Sequence, residues 1–230
     1  MSKISKFIDT SPAAYLGSAL TTVPLHPELS AYVANLLPTL TTIPDERREP
    51  LDRIAAFVRE RKTKGQPVRL VFICTHNSRR SHMSQIWAAT ATAWYGIGDV
   101  ETYSGGTEAT AFNPRAVAAM RRAGFEIADV PPDATNPHYA VGFSADAPAL
   151  DVFSKTFDAA GNPNSDFAAI MTCSQADQAC PFGRGAELRV SLPYDDPKVA
   201  DGTPEEVARY DERARQIAGE MFYLFSQVKG

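Results

Sequence analysis

The sequence predicts an α/β protein built on an open, mostly parallel sheet with helices on both faces. Short, continuous apolar runs of β-branched and aromatic residues, suited to strands buried on both sides, alternate with segments whose apolar residues recur at helical spacing. Strands that alternate with helices pair in parallel through crossover connections. The composition, 44% hydrophobic and 22% charged over 230 residues, is that of a globular chain long enough for one well-buried domain and an appendage.

Residues 1–65 are expected to be a helical amino-terminal extension. Pro12, Pro24, Pro27, Pro38, Pro44 and Pro50 divide it into short pieces such as HPELSAYVANLLP and EPLDRIAAFVRERKTKG, because proline starts or stops helices and is poorly tolerated inside them. In the second piece Leu51, Ile54, Ala55 and Val58 share one face, which must dock either on the main domain or on a second subunit, so a homo-oligomer stays open.

The main domain is expected over 66–230. From Val68, VRLVFI reads as a buried strand, and SHMSQIWAATATAWYG as a helix with Met83, Ile86, Trp87, Thr90 and Trp94 at helical spacing. DVETYSGG reads as a strand ending in a glycine turn. NPRAVAAMRRAG reads as a helix with Asn113 at the N-cap, Pro114 in the first turn and Gly124 past the end. FAAIMTC and AELRVSL supply two further strands, four in all. In the closing helix, Thr203, Pro204 and Glu206 stand in capping-box order. There Val207, Tyr210, Ala214, Ile217, Met221, Phe225 and Val228 trace an apolar face. Residues 131–165, rich in Pro, Asp, Ala and Asn, are expected to form an inserted surface loop with a short hairpin around His138 to Phe143, of a length that helps form a binding rim.

The net charge of -4 argues against nucleic acid as a partner, since its binders show a basic stripe. No apolar run approaches the ~18–20 residues of a membrane span, and the apolar stretch after Lys3 and Lys6 is interrupted by Asp9 and Pro12, a poor signal peptide. Cys74, Cys173 and Cys180 are too few and too unevenly spaced for a secreted disulfide framework, which places the chain in a reducing cytoplasm. No Cys or His spacing suggests zinc, and the reading requires no cofactor.

Ligands of such sheets bind beyond the carboxyl ends of the strands. Cys74 ends the first strand, Cys173 follows a later one, and Asp195 and Asp196 follow the last, so three reactive residue types converge on one edge. The stretch CTHNSRRS places Arg80 six positions after Cys74, between a strand and a helix. A loop of that length can turn its N–H groups toward a tetrahedral oxyanion, with the helix N-terminus adding its positive end and Arg80 a planar fork. The same field favours a thiolate at Cys74, to which Ser81 can donate a hydrogen bond, and Asn77 suits a position of positive φ. The clustering of Ser78, Arg79, Arg80 and Ser81 argues against a merely structural cysteine.

ICTHNSRRS resembles the signature loop of the low-molecular-weight protein tyrosine phosphatases and of the thioredoxin-coupled arsenate reductases that share their fold, a likeness running from Val68 to Val228. It implies a three-layer, four-stranded flavodoxin-like fold. It also implies Cys74 as nucleophile, Arg80 as oxyanion clamp and Asp196 in YDDPK as general acid, with Thr75, His76, Asn77, Ser78, Arg79, Arg80 and Ser81 around the oxyanion, whether arsenate, phosphate or sulfate. MTCSQADQACP resembles the redox segment of the reductases. By that resemblance Cys74 attacks arsenate, Cys173 attacks Cys74 and releases arsenite, and Cys180 then attacks Cys173, leaving a disulfide for thioredoxin to reduce. The chain departs from the family at His76, where glycine is usual, at Arg79, where a second cysteine is frequent, and at His82. His76 and His82 are expected to face solvent. The alternatives are a phosphatase of phosphotyrosine or small phosphate esters, and a non-catalytic oxyanion-binding module.

Overall fold

The computed structural model describes residues 22–131, 133–179 and 185–229. Helix α1 (Pro27–Leu36), a 3-10 turn and α2 (Asp45–Thr63) precede β1 (Val68–Cys74), α3 (Arg80–Tyr95), β2 (Val100–Gly106) and α4 (Pro114–Arg122). Three short strands follow, β3 (Glu126–Ile127), β4 (Tyr139–Gly142) and β5 (Leu150–Val152). The chain closes with β6 (Phe167–Met171), α5 (Ser174–Ala179), β7 (Ala186–Ser191) and α6 (Glu206–Lys229). The main sheet runs β2-β1-β6-β7 with every neighbouring pair parallel. Its strands therefore run in the order second, first, third, fourth, and the carboxyl ends of β1, β6 and β7 share one edge.

Alternation along β1 separates two cores. Val68, Leu70 and Phe72 join the large core under α1, α2, α3, α4 and α6, whereas Val71 and Ile73 face a small one, which Cys74 joins at the strand's end, with Ala169, Met171, Cys173 and Ala176 of α5. Helices thus cover both faces, unequally. The face of α2 predicted to dock does so on its own chain: Leu51, Ile54, Ala55 and Val58 are fully buried, with α2 packed on α6, β7 and β1. Each large side chain so buried contributes about 1.5–3 kcal/mol. Helix α1 is anchored by Tyr32, which stacks on Trp87 at 5.4 Å between ring centroids.

Four expectations need correction. Pro50 lies inside α2. It sits in the second turn, where its missing N–H leaves only the carbonyl of exposed Glu46 without a helical partner, and water can satisfy that group. The insertion is more than a loop with a hairpin, because β4 pairs antiparallel with both β3 and β5 in a separate three-stranded sheet. Gly105 and Gly106 are not a turn but the last residues of β2, in register with Ile73 and Cys74. At the head of α6, Glu206 reaches past Thr203 to accept from the N–H of Gly202 at 2.6 Å, held there by Arg115 at 2.8 Å, and Val207 is exposed. Asn113 caps α4 as expected, its side chain accepting from the Arg115 N–H, and Gly124 has φ +102°. No helix among the described residues is long and apolar enough to cross a membrane.

Candidate active site

The buried strand β1 delivers Cys74 to the sheet edge, 3% exposed, and the chain then loops through residues 75–79 into α3. Asn77 has φ +44°, the left-handed conformation that asparagine tolerates better than most residues, whereas His76 is not at positive φ. Among the described residues none of the backbone N–H groups of residues 75–81 has a hydrogen-bonding partner. Buried backbone donors are nearly always paired. A run of unpaired ones beside a helix N-terminus is a cradle for an anion.

The loop is held from outside by its carbonyls and by one side chain. The carbonyl of Thr75 accepts from the Glu108 N–H at 2.8 Å, that of Ser78 from Asn113 at 2.8 Å, and that of His76 from the Ser154 and Thr110 hydroxyls at 3.1 Å each. Asn77 Oδ1 accepts from the N–H of Lys155 at 2.9 Å. A backbone N–H can only donate, so the amide orientation of Asn77 is settled, and its Nδ2 donates to Ser81 Oγ at 2.9 Å. Ser81 Oγ, already accepting, has its own proton free for Cys74 Sγ at 3.1 Å.

Lys155 and Ser154 belong to the insertion, and sequence reasoning missed both. The Lys155 contribution is a backbone N–H, which no residue type announces. Gly106 is part of the same fit: a Cβ there would lie 2.6 Å from Thr75 O and 2.7 Å from Asn77 N, so only glycine lets β2 approach the loop. The sequence signal was the Gly105–Gly106 pair, misread as a turn.

The two arginines of the loop converge on Asp196. Arg79 Nε donates to Asp196 Oδ1 at 2.8 Å, and Arg80 donates from Nη2 to Oδ2 at 2.9 Å and from Nη1 to the Tyr194 carbonyl at 2.9 Å. Arg80 Nε is buried without a partner. Burial alone would raise the Asp196 carboxyl, but the charge of Arg80 and the hydrogen bond and charge of Arg79 outweigh it and hold it below its usual range. Arg79 therefore spends its charge on Asp196 in this structure. Asp195 is almost fully exposed and lies 3.5 Å from Arg213.

Cys173 leaves β6 beside the loop. The register Ile73↔Met171 sets it opposite Thr75, whose hydroxyl lies 3.4 Å from Cys173 Sγ. The thiol is fully buried and accepts from the Ala176 N–H at 3.4 Å, while Ser174, Gln175 and Gln178 of α5 are exposed. Cys74 and Cys173 are both free thiols, and Cys180 lies outside the described residues.

The two histidines part company. His76 is half exposed, 4.0 Å from Glu108. His82, expected in solvent, is fully buried: Nε2 lies 3.2 Å from the Phe153 carbonyl and the ring packs 4.5 Å from Phe112. Burial brings its pKa down to about 3, so it is neutral at pH 7. The reason for the correction is the insertion, which covers the start of α3 and could not be placed from local pattern.

A reduced cysteine inside a loop of unpaired amides, backed by paired arginines, defines a thiol site receptive to an oxyanion. Residues 69–140 match the family described as low molecular weight phosphotyrosine protein phosphatase. An arsenate reductase of Bacillus licheniformis is 32% identical over 160 residues, covering 69% of this chain and 95% of that protein. An arsenate reductase of Bacillus subtilis is 29% identical over 160 residues, with the same coverage. A low molecular weight protein tyrosine phosphatase from Bacillus subtilis, known in solution structure, is 18% identical, covers 70% of this chain and 97% of its own, and superposes with a TM-score of 0.47. The chain belongs to the family of the arsenate reductases that it matches, and its residues 69–140 carry the low molecular weight phosphotyrosine protein phosphatase domain.

Proposed function

We propose that this protein reduces arsenate to arsenite in a reducing cytoplasm, using Cys74 as nucleophile and Cys173 with Cys180 as the redox pair. The observation that carries the reading is the meeting of Cys173 with the Cys74 loop through Thr75. The identity to arsenate reductases over nearly their whole length supports it.

The amides of residues 75–81 bind the arsenate oxygens, and Arg80 neutralises their charge through the Nε that is buried without a partner. The Cys74 thiolate, held by Ser81, attacks arsenic, the sulfur–arsenic bond forms, and the displaced hydroxyl takes a proton from solvent and leaves as water. The Cys173 thiolate then attacks Cys74 Sγ. The sulfur–arsenic bond breaks, its electron pair stays on arsenic, and arsenite leaves from a Cys74–Cys173 disulfide. Attack by Cys180 on Cys173 frees Cys74, and an external dithiol of the thioredoxin class reduces the Cys173–Cys180 pair. The six residues of α5 rise about 9 Å. Disulfide Cα atoms lie only about 4.4–6.8 Å apart. Pairing across α5 therefore requires it to unwind, and its exposed polar face makes that inexpensive.

The second reading is a phosphatase, in which water attacks a phosphocysteine and Asp196 acts as acid and then base. It is favoured by the placement of Asp196 at the mouth of the loop, where both arginines pair with its carboxylate and hold it below its usual range. One paired assay separates the readings. Arsenate-dependent oxidation of reduced thioredoxin should be robust in the wild type and absent in Cys173→Ser and Cys74→Ser. Hydrolysis of an aryl phosphate that survives Cys173→Ser, with no arsenate-driven oxidation in the wild type, would establish the phosphatase. Silence in both assays would leave the non-catalytic binding module.

A further inference from the structure

The amino-terminal helices lie before residue 69, where the family match begins, yet one of their side chains reaches the site. Arg47, in the first turn of α2, donates from Nε and Nη2 to both oxygens of Glu220 on α6 at 2.9 and 2.7 Å. Its remaining Nη1 donates to the carbonyl of Pro193 at 2.9 Å. Its guanidinium also lies over the ring of Tyr194, 5.0 Å from the centroid. Glu220 is only 3% exposed, so this is a buried, bidentate pair whose geometry admits little play.

The peptide that Arg47 grips is the one before the Arg80 anchor. Tyr194 supplies the carbonyl that accepts from Arg80 Nη1, and Asp196, two residues on, accepts from Arg80 Nη2. Residues 192–196 form neither helix nor strand. On the core side the segment is tied by the Tyr194 N–H to Thr172 O, and Arg47 holds the opposite side of the same turn. Displacing Pro193 would move the carbonyl that aims the Arg80 fork.

We infer that Arg47 is a positioning residue of the oxyanion site: through Pro193 and Tyr194 it fixes the orientation of Arg80, making the amino-terminal extension a working part of the anion loop. This rests on the reading of Arg80 as the oxyanion clamp. It gives α2 a role beyond packing, and it predicts coupling between two residues that do not touch the same ligand.

The test measures inorganic phosphate affinity by calorimetry on the full-length chain. Arg47→Ala would leave Glu220 buried and unpaired, so the principal variant is Arg47→Met with Glu220→Leu, which replaces the ion pair by apolar side chains. It is made with Arg80 intact and again with Arg80→Lys, whose amine lacks the fork that Tyr194 and Asp196 orient. The expected result is a phosphate affinity about tenfold weaker in the Arg80 protein and changed less than twofold in the Arg80→Lys protein, at an unchanged melting temperature. Arg47→Lys, which keeps the charge but loses the fork, should weaken phosphate to an intermediate degree. An unaltered affinity with Arg80 intact, or an equal loss in both backgrounds, would overturn the inference. Should the double variant fail to fold, the same comparison with Arg47→Lys alone decides it. Because binding and not turnover is read, a protein that binds phosphate with this coupling but oxidises no thioredoxin would sink the proposed function and leave the role of Arg47 standing.

Discussion

Two loops meet at the carboxyl edge of the main sheet, and the balance between inner and outer ties differs between them. The loop after β1 adds a chain of side-chain contacts of its own to the ties that hold it from outside: Asn77 takes the left-handed turn, its amide reaches Ser81 four residues on, and Ser81 reaches back to Cys74. The loop after β7 has one side-chain tie of its own, Asp196 Oδ1 accepting from the Lys198 N–H at 3.1 Å, and backbone ties from Leu192 and Tyr194 to Met171 and Thr172. It is held by arginines from elsewhere, Arg47 from α2, Arg79 and Arg80 from the other loop, and Arg213 from α6. A segment with side-chain ties of its own keeps part of its shape when an outside tie is lost. One held by distant cations keeps it only in the assembled fold, and only while its carboxylate is ionised.

The largest expected effect breaks the loop after β1 at Asn77. Asn77→Ala removes the donor to Ser81, orphans the Lys155 N–H and places alanine at positive φ, and each loss costs about 1–3 kcal/mol. We expect a destabilisation of about 4–5 kcal/mol in urea unfolding and a hundredfold slower alkylation of Cys74 by iodoacetamide at pH 6. A loss no larger than that of a surface substitution would show that the outside ties to its carbonyls hold the loop by themselves.

Next is His82, which lies between the loop and the insertion. Its folded pKa of about 3 is below the unfolded value of about 6.5. The unfolded chain therefore binds the proton first, and stability is complete above about pH 6.5 and falls as pH drops toward 3. The expected slope from this residue is about 1.4 kcal/mol per pH unit in that window. Urea unfolding from pH 7 to 4 should show it in the wild type and not in His82→Gln.

The smallest effect concerns the loop held by cations. The Asp196 carboxyl is held below its unfolded value, so its contribution is present above about pH 4 and is lost as pH falls through the folded value. Asp196→Asn should lower stability at pH 7 by about 1–2 kcal/mol, the site being a quarter exposed. The difference from the wild type should fade below about pH 4. A constant difference across that range would mean that the carboxylate charge does not hold the loop.

The anion loop was legible because its chemistry is local: a cysteine ending a buried strand, an arginine at fixed spacing, an asparagine for the turn and a serine for the sulfur. The four strands and most of the helices were legible for a similar reason, since apolar periodicity records which face of each element is buried. What eluded the sequence involves groups with no residue signature or partners far apart in the chain. The N–H of Lys155 on Asn77, the carbonyls of Pro193 and Tyr194 under Arg47 and Arg80, and the burial of His82 beneath the insertion are of this kind. Pattern along the chain thus determined the α/β class, the nucleophile and the receptive loop. Tertiary structure alone decided which arginines aim Asp196, where Cys173 meets the loop, and that the amino-terminal helices dock on their own chain, because hydrogen-bond direction and desolvation depend on distances that spacing in sequence does not set.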